Sequence, residues 1–156
     1  MRLEKLCKFD AYYRGEGVWL RPYGDHQAAG HGSGDGTLDG ERIRGRLTWS
    51  NHPRKREDGV WCPNLTGYVT TDDGAQVLVE IQGYSVREDT KEVRRAVTVT
   101  ARFQASDPKY RWLNFVIGAG EGEIVESDTD KSDLDHWWLQ IYAVVNETAQ
   151  AGPAIT

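Results

Sequence analysis

Cysteine is scarce in this sequence: 156 residues contain two, Cys7 and Cys62. A pair allows one bridge but no disulfide scaffold, so the fold must rest on an apolar core. Excess positive charge is also absent. The formal net charge is −5, which disfavours nonspecific nucleic-acid binding, because that needs a basic footprint. No stretch approaches the ~20 apolar residues of a membrane helix. The opening MRLEKLCKFDAYYRG carries Arg2, Glu4, Lys5, Lys8 and Asp10 and no apolar run. It therefore does not read as a secretory leader, and a cytoplasmic protein is expected. The four histidines, His26, His31, His52 and His136, lack the spacing of a zinc site. Neither a metal nor a cofactor is expected.

What is present is alternation. Val93, Val97, Val99, Ala101 and Phe103 alternate with Glu92, Arg94, Thr98, Thr100 and Arg102, the period of a half-buried strand. Ala75, Val77, Val79 and Ile81 alternate with Gln76, Leu78, Glu80 and Gln82. Ile43, Leu47 and Trp49 share one face with Gly45 between them. Near the end, Trp137, Leu139, Ile141, Ala143 and Val145 oppose Trp138, Gln140, Tyr142 and Val144. Both of those sets are apolar or amphipathic, so that strand is expected to be covered on both sides or to meet a second subunit. Weaker strands fit 3–13, 17–22, 65–71 and 111–118. No helical stripe of 10–12 residues occurs.

Asp72-Asp73-Gly74 marks a tight hairpin, with Asp58-Gly59 and Asp39-Gly40 as further turns. The glycine-rich 24–36 lacks the context of a nucleotide loop and reads as a wide, flexible loop. Residues 126–135, ESDTDKSDLD, read as an acidic surface loop. Many evenly spaced strands joined by tight turns predict an all-β fold. The expectation is a single antiparallel up-and-down β-barrel of about eight strands, lipocalin-like in appearance. It spans residues 1–147, with 148–156 a flexible C-terminal tail. Such an interior is filled by side chains or holds one small ligand.

Candidate functional residues follow from that choice. His52 and Asp58 flank a basic turn and form a candidate acid–base pair. The basic cluster Arg54-Lys55-Arg56 is read chiefly as a charged turn, with an anion-binding role as the lesser reading. Glu80 and Arg102 sit on otherwise apolar strands. Outward they are ordinary surface charges. Inward they would have to pair, and would anchor a polar ligand or leave Glu80 as a general base. Trp49, Tyr110 and Trp112 are candidate walls of an aromatic pocket.

Several segments in order resemble a known family. These are Gly34-Asp35-Gly36, 38–45 (LDGERIRG), Trp49 to His52, Arg56 to Val60, 71–75 (TDDGA), and Phe103-x-x-x-Asp107-x-x-Tyr110-x-Trp112-Leu113-Asn114. The chain is similar, roughly from Gly17 to Tyr142, to the family catalogued as domain of unknown function 3237. The resemblance implies a small antiparallel β-barrel. It implies no activity, because most members have none assigned. Its recurrent positions map to Gly45, Asp58, Gly59, Asp72, Asp73, Gly74, Gly83, Tyr110, Trp112 and Asn114. The glycines and Asp73 have turn or packing roles. Asn114, if it faces inward, would orient a ligand. The chain departs from the family pattern after Gly83 and in the open loop 24–34.

Two functions are therefore expected to compete. One is a small-molecule-binding barrel for a hydrophobic or aromatic ligand. It would act as a cofactor-independent isomerase, cyclase or (de)hydratase on an aromatic or polyketide-like compound. His52, Asp58 and Glu80 would be its acid–base groups. Trp49, Arg102, Tyr110, Trp112 and Asn114 would bind the ligand. The other is a noncatalytic ligand-binding or structural module that forms a homodimer through a sheet face, suggested by Trp137 and Trp138 on opposite faces of one strand.

Overall fold

The computed structural model describes residues 1–87, 94–125 and 136–148. The acidic stretch 126–135, the tail from 149 and the segment that follows Arg87 lie outside the described residues. Eleven strands run in chain order. They are β1 (Arg2–Tyr13), β2 (Val18–Leu20), β3 (Ala28–Asp39), β4 (Arg44–Asn51), β5 (Arg54–Lys55), β6 (Trp61–Cys62), β7 (Asn64–Thr71), β8 (Gln76–Arg87), β9 (Arg94–Ala105), β10 (Ile117–Val125) and β11 (His136–Val145). Eight of them close an antiparallel barrel. β3, β4, β7, β8, β9, β10 and β11 follow one another as neighbours, and β1 closes the ring between β11 and β3. The short β2, β5 and β6 form a ribbon at one end.

Residue parity determines which side chains enter the barrel. Val77, Val79 and Ile81 of β8 and Val97, Val99, Ala101 and Phe103 of β9 are buried inward, while the intervening residues meet solvent. Trp137, Leu139 and Ile141 of β11 fill the same core, joined by Phe9, Leu38, Leu47, Trp49, Leu65 and Val69. Trp137 is thus a core residue and Trp138 is half-buried on the outer face.

Two local expectations need correction. The glycine-rich 24–36 is not a wide loop throughout, because β3 starts at Ala28. Its outward positions carry His31, Ser33, Asp35 and Thr37. Before Leu38 its inward positions are Gly30, Gly32, Gly34 and Gly36, where a side chain would meet the ring of Trp19 at Gly30, that of Tyr13 at Gly32, and the β1 backbone at Gly34 and Gly36. Apolar alternation is therefore invisible in the sequence although the strand is real. Residues 111–118 are not one strand either. Arg111–Phe115 form a 3-10 helix, and β10 begins only at Ile117.

The turns behave as their residues dictate. Gly74 and Gly59 both take φ +88, the left-handed region that glycine enters without steric cost. Gly83 has another role. A Cβ there would lie 2.0 Å from the Thr98 carbonyl oxygen on β9, so this inward glycine lets β8 bend tightly around a small barrel. Gly83→Ala should cost at least ~2 kcal/mol of stability, the range of overpacking against immobile atoms. Urea denaturation measures it, and a loss under half that size would mean that the strand can shift.

Both cysteines are free thiols. Cys7 points into the core, and burial pushes its thiol up to about 12. The thiolate is the reactive form. Folded protein at pH 8 should therefore leave Cys7 unalkylated by iodoacetamide, with full labelling in denaturant. Mass spectrometry after digestion resolves this.

Candidate functional site

The barrel has two different ends. At the end where β4 begins and β7 finishes, the 3-10 helix Arg111–Phe115 places buried Leu113 under the core. Asp73, in the β7–β8 turn, ties that plug down. Its Oδ1 accepts from Thr71 Oγ1 at 2.5 Å and from the Tyr110 hydroxyl at 2.8 Å, and its Oδ2 accepts from Lys109 Nζ at 2.5 Å. The Lys109 ammonium, helped by Thr71 and Tyr110, holds the Asp73 carboxyl well below the usual carboxylate range. Asn114 belongs to the same fastening. Its amide accepts from the Ala105 N–H at 2.6 Å and donates to the Ala105 carbonyl at 2.9 Å. Trp112 lies beneath the Arg42 guanidinium, 3.6 Å from ring centre to Cζ.

The candidate ligand residues of the sequence are therefore dispersed. Tyr110, Trp112 and Asn114 close the plugged end, where Tyr110 and Trp112 also line an open cleft of about 540 Å³ with Arg42, Arg44 and Lys109. Asn114 is exposed on the helix rather than inward on a strand. Glu80 and Arg102 are cross-strand partners on the outer wall, both exposed. The inward arrangement that would force a buried pair does not occur, because both have the parity opposite to Val79 and Phe103. His52 and Asp58 do not face each other. His52 lies 3.4 Å from Ser50 Oγ and edge-on to His31. Asp58 pairs with Arg56 and caps the Val60 N–H. Trp49 is inward, as a wall residue should be, but its indole N–H is satisfied by the Asp35 carbonyl at 3.0 Å.

The opposite end, the mouth, has a different chemistry. Tyr13, Asn51, Ser85, Arg95 and Trp137 converge there, roofed by Trp19 and Trp61. Trp19 meets Trp61 edge to face at 5.1 Å, and the Arg95 guanidinium lies 5.6 Å from the Trp61 ring centre. Asn51, 1% exposed, is locked in place. Its carbonyl accepts from the Asn64 N–H at 2.9 Å, and its amide donates to the Tyr13 hydroxyl at 3.1 Å. Ser85 Oγ and Trp137 Nε1 are buried and make no hydrogen bond within the described residues. Buried polar groups are nearly always paired. Two orphans in one recess of about 20 Å³ therefore indicate an oxygen-sized acceptor position, since about that volume holds one water.

None of these lining residues is among the candidate site residues of the sequence; Trp49, which is, stands behind them against Tyr13 at 4.7 Å. Ser85 and Asn51 are signalled in the sequence only as polar residues at inward parity. Among the described residues no group of three or more His, Cys, Asp or Glu is placed to hold a metal ion, and no helix is long and apolar enough to cross a membrane.

The sequence profile of the family described as "Protein of unknown function (DUF3237)" matches residues 31–144. The chain belongs to that family. A comparison with curated proteins found no match. Among solved structures, the chain is similar to a beta-barrel like protein from Acinetobacter baumannii, with 20% identity, a TM-score of 0.73, and 90% of this chain and 95% of that one covered. It is similar to a protein of unknown function from Clostridium acetobutylicum, with 16% identity, a TM-score of 0.75, and 93% and 100% covered. It is also similar to an enzyme from Penicillium herquei, with 20% identity, a TM-score of 0.61, and 90% and 93% covered. At these identities the shared property is the DUF3237 barrel.

The Asp73 fastening has a definite pH signature. A carboxyl held low in the folded state stabilises above its unfolded value, near pH ~4, and loses that contribution as pH falls below it. Asp73→Asn should therefore be less stable than the parent at pH 7, and the gap should narrow as pH falls from 4 towards 2. Denaturation curves at several pH values test this. A gap independent of pH would show that the carboxylate charge is not what fastens the plug.

Proposed function

We propose that this DUF3237 protein is a small-molecule-binding barrel whose ligand docks at the mouth and sets an oxygen between Ser85 Oγ and Trp137 Nε1. The observation that carries this reading is the pair of orphaned, fully buried polar atoms in one recess. The recess admits one oxygen, not a ring, so the body of the ligand stays outside it. Trp19 and Trp61 are the surfaces available there, and Trp19 is 53% exposed. A flat, aromatic or polyketide-like compound bearing a phenol or carbonyl matches those walls. Arg95 adds positive charge beside the same oxygen.

Catalysis at this position would be cofactor-independent isomerisation, cyclisation, hydration or dehydration by proton transfer. The described lining residues of the mouth include no Asp, Glu or His. The proton carrier would then be Tyr13, whose phenolic oxygen accepts from the locked Asn51 amide. Ser85, Trp137 and Arg95 would stabilise negative charge developing on the ligand oxygen. His52, Asp58 and Glu80 lie outside this arrangement. The fungal neighbour described as an enzyme supports such a reading in general terms only.

The test is titration with 1-naphthol, followed by tryptophan fluorescence. Ser85→Ala and Trp137→Phe should each weaken binding roughly fivefold, the worth of one neutral hydrogen bond. Ser85→Ala hardly changes volume, so a folding defect does not obscure it. Unchanged affinity in both variants would overturn the assignment.

A further inference from the structure

A cleft of about 730 Å³ lies on the outer wall, separated from the mouth by β6. Its floor is the outward face of three adjacent strands: Gln82 and Tyr84 of β8, Thr98 and Thr100 of β9, and Ala119 of β10. Its side wall is the ribbon carrying His52, Arg54 and Cys62. None of its lining residues is a carboxylate, and Arg54 carries the one full charge among them. In a chain of net charge −5, a cleft with this balance is selective for anions.

Arg54 is also available. Its neighbours in sequence are engaged: Arg56 with Asp58, and Lys55 with the face of Trp61, its Nζ 5.8 Å from the ring centre. Arg54 is exposed and has no ion pair within the described residues. Gln82 Nε2 donates to Asn64 Oδ1 at 3.1 Å, which leaves the Asn64 amide N–H groups as further donors beside the cleft. Tyr84, 56% exposed, offers an aromatic ring within it, with the Arg56 guanidinium 5.9 Å from the ring centre.

We infer that this cleft is a second small-molecule site, distinct from the mouth, and that it takes a flat apolar monocarboxylate. One guanidinium matches one carboxylate in a two-point contact, a geometry that lysine does not reproduce. The ring of the ligand lies on Tyr84 and the threonine floor. The cluster Arg54-Lys55-Arg56 therefore divides its work: Arg56 and Lys55 hold the ribbon, and Arg54 faces the ligand.

The experiment is a titration of the full chain with 1-naphthoate, read by amide-resolved NMR. Saturable shifts are expected at Gln82, Tyr84, Thr98 and Thr100. Arg54→Gln should weaken binding roughly tenfold, the worth of a charge-assisted contact, and added salt should weaken the parent in the same direction. Ser85→Ala should leave naphthoate affinity unchanged, which separates this site from the mouth. Shifts confined to Ser85 and Trp137, no saturable shift, or an Arg54→Gln variant that binds as tightly as the parent would each overturn the proposal. None of these outcomes removes 1-naphthol binding at the mouth, which is read separately by Ser85→Ala.

Discussion

Everything in this molecule depends on the closure of eight strands around an interior that side chains alone can fill. A ring of that size leaves space for a packed core or for one small ligand. Here the centre is packed by Trp137, Trp49, Phe9 and the aliphatic residues of β7 to β9. The open spaces accordingly lie at the ends of the barrel and on its outer wall. Packing also requires inward glycines, since a Cβ at Gly83 or Gly45 would strike the backbone of the next strand. The curvature that closes the ring and the fill that occupies it are one constraint.

The two ends show what satisfied and unsatisfied polar groups mean. At the plugged end, Asp73 receives Thr71, Tyr110 and Lys109, and Asn114 uses both its amide atoms on Ala105. A network this well paired holds its parts together. At the mouth, Asn51 is equally well fixed, but Ser85 and Trp137 are not paired. The family-like run from Asp107 to Asn114 thus has a structural reason to exist: it closes the barrel. The residues with free hydrogen-bonding capacity lie outside that run.

The strands were legible wherever inward positions carry Val, Ile, Leu or Phe, as in β8, β9 and β11. They were illegible in β3, where glycine takes four inward positions and rings of Trp19 and Tyr13 or the β1 backbone lie where side chains would be. The Asp-Gly turns were legible because a positive φ has few alternatives. The short 3-10 helix was not, because five residues show no periodicity. The site was harder. His52, Asp58, Glu80 and Arg102 stand out by residue type, yet parity places Glu80 and Arg102 outside, and the ribbon separates His52 from Asp58. Ser85 and Asn51 are inconspicuous residues made conspicuous only by where they point.

That same parity explains how one strand end can serve two chemistries. Asn51 and His52 are adjacent, and the chain sends the first into the mouth and the second to the outer cleft. Trp61 and Cys62 repeat the arrangement on β6, and Pro63 borders both spaces. The two regions therefore share backbone while keeping separate side chains. A substitution at an outward position removes a group from the cleft without entering the core, whereas an inward one must also satisfy packing. The outer wall is thus the part of this barrel where a side chain can change at least cost to stability, and the mouth is where any substitution must contend with the fold itself.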